Sequence, residues 1–160
     1  MPSYTAHISQ VNKNLSFLAS INHFNSNWDW QVTVCFYSAL HMVNAHLDKS
    51  IKKHYKSHQQ TESVLNPYNK LSPAKLDEEI YTAYISLKNL SKRSRYLCHE
   101  DNGDSERDYP TYEKHLSKAI KKLDLLLSHF NKKYNINHPP YSIKCTFLKP
   151  SDNLNCFTVN

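Results

Sequence analysis

Apolar residues recur every three or four positions in four separate segments, and this spacing limits the fold more than any other feature of the chain. The segments are residues 5–24, 28–47, 73–97 and 111–133. Such spacing places the apolar side chains on one face of an α-helix. Residues 28–47 are apolar over more than half of a helix circumference, which favours a central helix. A buried strand is the alternative for Val32 to Tyr37, but the length of the apolar stretch favours the helix.

A single glycine, Gly103, occurs among the 160 residues. Phosphate-binding loops and tight hairpins need glycine where the backbone takes a positive φ or approaches a ligand closely. A Walker loop and a dinucleotide-binding fingerprint are therefore excluded. The sequence predicts an all-α fold, an antiparallel bundle of four or more helices over residues 1–138.

Two further segments depart from the helical pattern. Residues 48–72 are polar and basic, which predicts a long connection with a short helix near residues 59–65. Connections of this length in a small domain are often functional. After Pro139 and Pro140 the apolar residues alternate, so we expect residues 139–160 to form a C-terminal extension, either a small β-hairpin or a tail.

Charge and cysteine content bear on partners and compartment. The net charge is +6, which either attracts phosphate groups or marks a merely lysine-rich protein. None of the four cysteines forms a CxxC pair. Cys145 and Cys156 could pair across a hairpin, but without a secretory signal we expect free thiols and a cytoplasmic protein. No apolar run approaches ~20 residues, so we expect no membrane association.

The chemistry-bearing residues favour one candidate. His54 and His58 lack the glutamate of an HExxH motif, and we expect neither a metal site nor a cofactor. Arg93 and His99, near the end of the third long helix, could act together on a phosphodiester. The guanidinium would hold the phosphate and the imidazole would transfer protons. The alternative is a helix end that simply carries cations.

Two runs resemble those of a known family. Asp29 to Leu47, with its Asp-Trp pair and Phe-Tyr-Ser-Ala-Leu-His run, resembles the second helix of small prokaryotic HEPN-like proteins. Leu90-Ser91 and Ser94-Arg95-Tyr96 are similar to a later segment of that family. The resemblance covers about residues 5–130.

The resemblance implies a helical bundle that often dimerises and, in many members, a metal-independent RNase of toxin–antitoxin or phage-defence systems. Their motif is an Arg and a His separated by four to six residues, which Arg93 and His99 match with five. Ser94 departs from the motif, since Asn, Asp or His usually follows the Arg. A second element, SHxxR, is matched by Ser57 and His58, but Thr61 stands in place of its Arg.

Two functional hypotheses follow. In the first, the chain is a HEPN-like homodimer that engages RNA and could cleave it, with an antitoxin or another defence-system protein as partner. Arg93 and His99 would be catalytic. The RNA-binding residues would be Lys92, Arg95, Lys52, Lys53, Lys56 and His58. In the second hypothesis, the chain is a noncatalytic helical module for dimerisation or protein interaction, as some family members are.

Overall fold

The computed structural model describes residues 2–24, 26–95 and 111–160 and confirms a mostly α-helical bundle. The five helices of this part of the chain are α1 (Tyr4–Ile21), α2 (Trp28–Ile51), α3 (His58–Leu65), α4 (Glu78–Arg95) and α5 (Glu113–Tyr134). Two short strands follow, β1 (Tyr141–Ile143) and β2 (Phe157–Val159), with a 3-10 turn at Pro150–Asp152 between them.

Helix α2 is the centre of the bundle, as its apolar circumference predicts. It contacts α1, α4 and α5, and fourteen of its 24 residues are buried. Trp30 and Tyr37, seven positions apart and therefore on the same side of α2, are exposed exceptions. Side chains of all four long helices and of the C-terminal extension belong to one apolar core.

Contacts between helix ends give the up-and-down order of the bundle. Tyr4 at the start of α1 donates its backbone N–H to Asp48 near the end of α2, so these two helices are antiparallel. His46 near the end of α2 contacts the carbonyl oxygen of Ala74, just before α4, and the hydroxyl of Tyr134 at the end of α5. Helices α2 and α5 therefore run in one direction, while α1 and α4 run in the other.

The helix boundaries follow local hydrogen bonds. Ser3 caps α1, since its Oγ accepts from the backbone N–H of Ala6. The short helix predicted near residues 59–65 is also present, as α3. The prediction that the third long helix begins at residue 73 is wrong, because α4 begins at Glu78. Ser72 instead donates its hydroxyl to the carbonyl of Val64, which holds residues 72–77 against α3.

The C-terminal extension is a tail and not a hairpin. Strands β1 and β2 pair in parallel, with Tyr141 opposite Phe157 and Ile143 opposite Val159. A hairpin requires antiparallel strands, whereas a parallel pair needs a crossover of about a dozen residues. Residues 144–156 provide that crossover by running along α5 before the chain turns into β2.

A row of polar side chains along one face of α5 fixes this tail. Glu113 accepts hydrogen bonds from the backbone N–H and the hydroxyl of Thr146. Two turns further on, Lys121 pairs with Asp152 at 2.8 Å. The buried carboxylate of Asp124 accepts from the backbone N–H groups of Asn155 and Cys156 at 2.9 and 2.7 Å. Helix α5 thus contributes its apolar face to the bundle and a polar face to the tail.

Asp124 is expected to be the strongest of these attachments. Replacing it with alanine should lower the free energy of unfolding by about 2 kcal/mol, since two backbone donors lose a charged acceptor. Urea unfolding of the purified protein measures this change. Asp152→Ala is the control, because Asp152 is less buried than Asp124 and accepts one backbone N–H, from Lys149, besides its partly exposed ion pair with Lys121, so its loss should cost less. Equal losses in the two variants would contradict this account of the tail.

Candidate functional site

The last turn of α4 carries three cations, Lys92, Arg93 and Arg95. Lys92 and Arg95 are exposed, and Arg93 is half-buried. A helix C-terminus carries partial negative charge, which makes cations favourable there. All three residues were selected from the sequence as RNA-contacting or catalytic, and the structure places them within one helical turn.

Arg95 extends over an aromatic ring of the central helix. Its guanidinium carbon lies 5.8 Å from the ring centroid of Tyr37, and its Nη1 donates to the Tyr37 hydroxyl at 3.4 Å. Tyr37 is itself 37% exposed, so the pair lies at the surface of the bundle. A cation beside an exposed ring is the combination that binds a phosphate and stacks a base at the same time.

Ser94 joins the end of α4 to the chain just before α5. Its buried hydroxyl donates to the carbonyl of Leu90 and lies 3.0 Å from the Thr111 hydroxyl. The start of α5 is therefore fixed beside Arg93. His99, the predicted catalytic partner of Arg93, lies outside the described residues.

His115, in the first turn of α5, is the imidazole that the described part of the chain places near Arg93. Burial lowers the pKa of His115, and the positive charges of Arg93, Lys114 and Lys118 lower it further. Its Nδ1 accepts the backbone N–H of Tyr112 at 2.9 Å. In the neutral ring the proton is therefore on Nε2, which is a hydrogen-bond donor.

We call Lys92, Arg93, Arg95, Lys114, His115 and Lys118 the cationic end of the bundle. The ring of Tyr112, 47% exposed, lies beside it with the Lys114 ammonium 5.5 Å from the ring centroid. Glu113 is also close in sequence, but its carboxylate is bound by Thr146. Two exposed tyrosines thus flank a group of cations contributed by two helices.

The predicted basic connection runs back along α2 towards this end. It starts at Lys52, whose backbone is left-handed with φ of 54° and which pairs with Asp48 at 3.8 Å. It reaches His58, whose ring centroid is 5.5 Å from that of Phe36. The Phe36 ring is also 5.5 Å from the ring of Tyr37, so His58 is connected through Phe36 to the Arg95 contact. Phe36 and Ile51 are separated by about 20 Å of helix, and the connection spans this distance.

The RNA-binding residues predicted in this connection are therefore distributed along a line and not gathered at one point. Lys52, Lys53 and Lys56 are exposed, and Lys53 lines a cavity of about 240 Å³ with Ile51 and Tyr55. His58 lies nearest to the cationic end and Lys52 lies farthest away. We call residues 52–58 the basic track.

The segment compared with the SHxxR element, which Ser57 and His58 match and Thr61 does not, makes local hydrogen bonds in α3. Ser57 caps α3, since its Oγ accepts the backbone N–H of Gln60. Thr61 is buried and returns its hydroxyl to the Ser57 carbonyl at 3.2 Å. The position where the family pattern has an arginine therefore carries a short, buried side chain in this chain.

The described residues give little support for a thiol nucleophile or a metal site. Cys35, Cys145 and Cys156 are free and buried, and burial raises the pKa of Cys156 to about 11, so these thiols are poor nucleophiles. In this part of the chain, no group of three or more His, Cys, Asp or Glu side chains is arranged to hold a metal ion. Its helices also include none that is long and apolar enough to cross a bilayer.

No family model, curated protein or solved structure matches this chain. The resemblance to HEPN-like proteins therefore stays a prediction. What the fold and the site define is a helical bundle with a cationic, tyrosine-flanked end.

Three residues of this site were not identified from the sequence: Tyr37, Tyr112 and His115. Tyr37 was assigned to the apolar surface of α2, and only the packing shows that its ring is exposed. His115 is 22 positions from Arg93, and no motif spacing connects them. The predicted antiparallel bundle could have indicated His115, because antiparallel pairing brings the end of α4 to the start of α5.

Titration of His115 tests whether the cationic end is one electrostatic unit. Arg93→Gln should raise the pKa of His115, because a nearby positive charge that disfavours the imidazolium is removed. Lys118→Gln is the matched control and should raise this pKa less, since its influence on His115 is smaller than that of Arg93. Imidazole chemical shifts followed by NMR against pH give both values. An unchanged pKa in Arg93→Gln would show that the two side chains are not neighbours.

Proposed function

We propose that this chain is a HEPN-like protein that binds RNA at its cationic end and cleaves it without a metal ion. The observation that carries the proposal is the set of cations from α4 and α5 between two exposed tyrosines, Tyr37 and Tyr112. Cations bind the phosphates of a single strand, and the rings stack its bases. The net charge of +6 supports a polyanionic ligand.

The chemistry assigned to this site is transesterification of the RNA backbone. The ribose 2′-oxygen attacks phosphorus, the bond to the 5′-oxygen breaks, and a 2′,3′-cyclic phosphate and a 5′-hydroxyl are formed. His99 would take the proton from the 2′-hydroxyl or return one to the leaving oxygen. The guanidinium of Arg93 would stabilise the negative charge that develops on the phosphate oxygens. These steps need no cofactor.

His115 has a different role in this proposal. Its ring stays neutral at physiological pH, since burial and the neighbouring cations lower its pKa. It can therefore donate from Nε2 to a phosphate oxygen without taking part in proton transfer. The basic track would hold the strand on one side of the site, with His58 next to the cationic end and Lys52 at the far end. The site would be composite, formed across a dimer in the cytoplasm, with a defence-system protein or an antitoxin as a further partner.

A noncatalytic interaction module is the second candidate, and a separate observation favours it. Phe17, Phe24 and Trp30 are 53, 61 and 62% exposed, and all lie in or near the connection between α1 and α2. Exposed apolar residues that lie close together are typical of protein interfaces. In this case the cations would be surface charges, and Trp30→Ser would weaken self-association while RNA would remain uncleaved.

Cleavage in the presence of EDTA separates these two functions. The full chain, incubated with labelled single-stranded RNA, should release products with cyclic phosphate ends. Arg93→Ala and His99→Ala should each reduce the rate by about a hundredfold or more, the size expected for loss of a charge-stabilising or proton-transferring group. His23→Ala, which removes an exposed histidine of the α1–α2 connection, should have no effect. Equal background cleavage by all four proteins would favour the interaction module.

Salt dependence of RNA binding tests the basic track. The logarithm of the binding constant should fall linearly with the logarithm of salt concentration, because bound phosphates release counterions. Each lysine of the track that contacts a phosphate should contribute about 0.7 to this slope, so the double variant Lys53→Ala/Lys56→Ala should bind with a shallower slope. Lys149→Ala, in the C-terminal tail, is the control of equal charge type. Fluorescence anisotropy measures all three, and an unchanged slope in the double variant would remove the track from the interface.

A further inference from the structure

Three histidines from three parts of the chain meet beside the middle of α2. His7 is on α1, His41 is on α2 and His54 is in the basic track. The Nδ1 atoms of His7 and His41 are 3.1 Å apart, and the rings of His7 and His54 are stacked with centroids 5.5 Å apart. His7 is buried, whereas His41 and His54 are half-buried.

The hydrogen bonds of this group hold only while most of its rings are neutral. A contact between two Nδ1 atoms requires a proton on one of them and a lone pair on the other. If both rings were imidazolium, two N–H groups would face each other. The Nε2 of His7 and the Nδ1 of His54 are buried without a hydrogen-bond partner, so an added proton at either atom would have no acceptor.

Charged groups around the histidines do not offset this cost. Asp48 on α2 favours a charged His7, but its carboxylate accepts the backbone N–H of Tyr4 and pairs with Lys52. Further cations surround this end and also disfavour a charged imidazole. Lys49 lies over the Tyr4 ring, and Lys53 and Lys56 are on either side of His54. From α5, Lys133 lies over the ring of Tyr134, which in turn contacts the Tyr4 ring.

We propose that His7, His41 and His54 form an acid-sensitive clasp that holds the basic track and the first half of α1 against α2. When the medium becomes acidic, a second imidazole in the group is protonated, the rings repel one another and these two segments separate from α2. Helices α4 and α5 remain folded. Histidine clusters of this kind change charge within the physiological range.

The sign of the pH dependence follows from the environment of each ring. Burial, and then the neighbouring histidines, lowers the pKa of His7; burial, and then His54, lowers the pKa of His41. In the unfolded chain a histidine has a pKa of about 6.5. The unfolded or opened segment therefore binds more protons below that pH, and the closed state loses stability as the pH falls from about 6.5 towards the lowered values.

Hydrogen exchange of the full chain, measured by mass spectrometry, tests the clasp. After correction for intrinsic rates, amides of residues 4–11 should exchange at least about threefold faster near pH 5.5 than near pH 7.5, because the opened segment binds protons that the closed group does not. Amides of α5 should not show this local increase. No RNA is present, so the result is independent of the proposed function.

Two variants and a control test whether the three histidines cause the faster exchange at acidic pH. His54→Gln lies in a connection outside the helices and should lose most of the acid-specific increase, and His7→Gln should do the same. His129→Gln removes a half-buried histidine of α5 whose pKa burial also lowers, and it should behave like the unmodified chain. The proposal is overturned if residues 4–11 show no acid-specific increase, if α5 opens equally, if His54→Gln retains the increase, or if His129→Gln removes it.

Discussion

Burial of α2 on nearly all sides is the constraint on which the rest of this structure depends. A helix that is apolar over most of its circumference must be covered by several neighbours, and here α1, α4 and α5 cover it. Their positions around α2 decide which side chains reach the surface. Tyr37 is exposed beside the end of α4, where Arg95 contacts its ring. The cationic end of the bundle is thus a consequence of how one apolar helix is enclosed.

Buried polar groups on α2 select one arrangement of these neighbours. Gln31 accepts a hydrogen bond from Asn22, which also binds the backbone of Lys144 in the tail. His46 contacts Tyr134 and the Ala74 carbonyl, so it fixes α5 and the segment before α4 at once. Apolar contacts alone tolerate sliding of one helix along another, whereas an unsatisfied buried polar group is costly. These contacts therefore fix the axial positions of the helices, and so determine which residues at the end of α4 lie beside the start of α5.

The sequence predicted the long helices well because their stripes of apolar residues are a local signal. The predicted start of α4 was wrong. Ser72 is a residue type that commonly caps a helix, but its hydroxyl donates to the carbonyl of Val64 in a tertiary contact. The parallel pairing of β1 and β2 also depends on a distant element, since polar residues of α5 determine the path of residues 144–156. For the site, the sequence identified the cations of α4 but missed His115, which becomes a neighbour of Arg93 only through helix packing.

The path of the basic track shows how uncharged contacts can position charges. Two ring contacts attach the track to the bundle, His54 on His7 and His58 on Phe36. Lys53 and Lys56 are exposed on either side of His54 because the rings, and not the ammonium groups, make these attachments. If either ring contact were lost, the backbone between them, and with it the positions of Lys53 and Lys56, would no longer be fixed. The packing of His54 and His58 therefore determines where the exposed cations of the basic track are held.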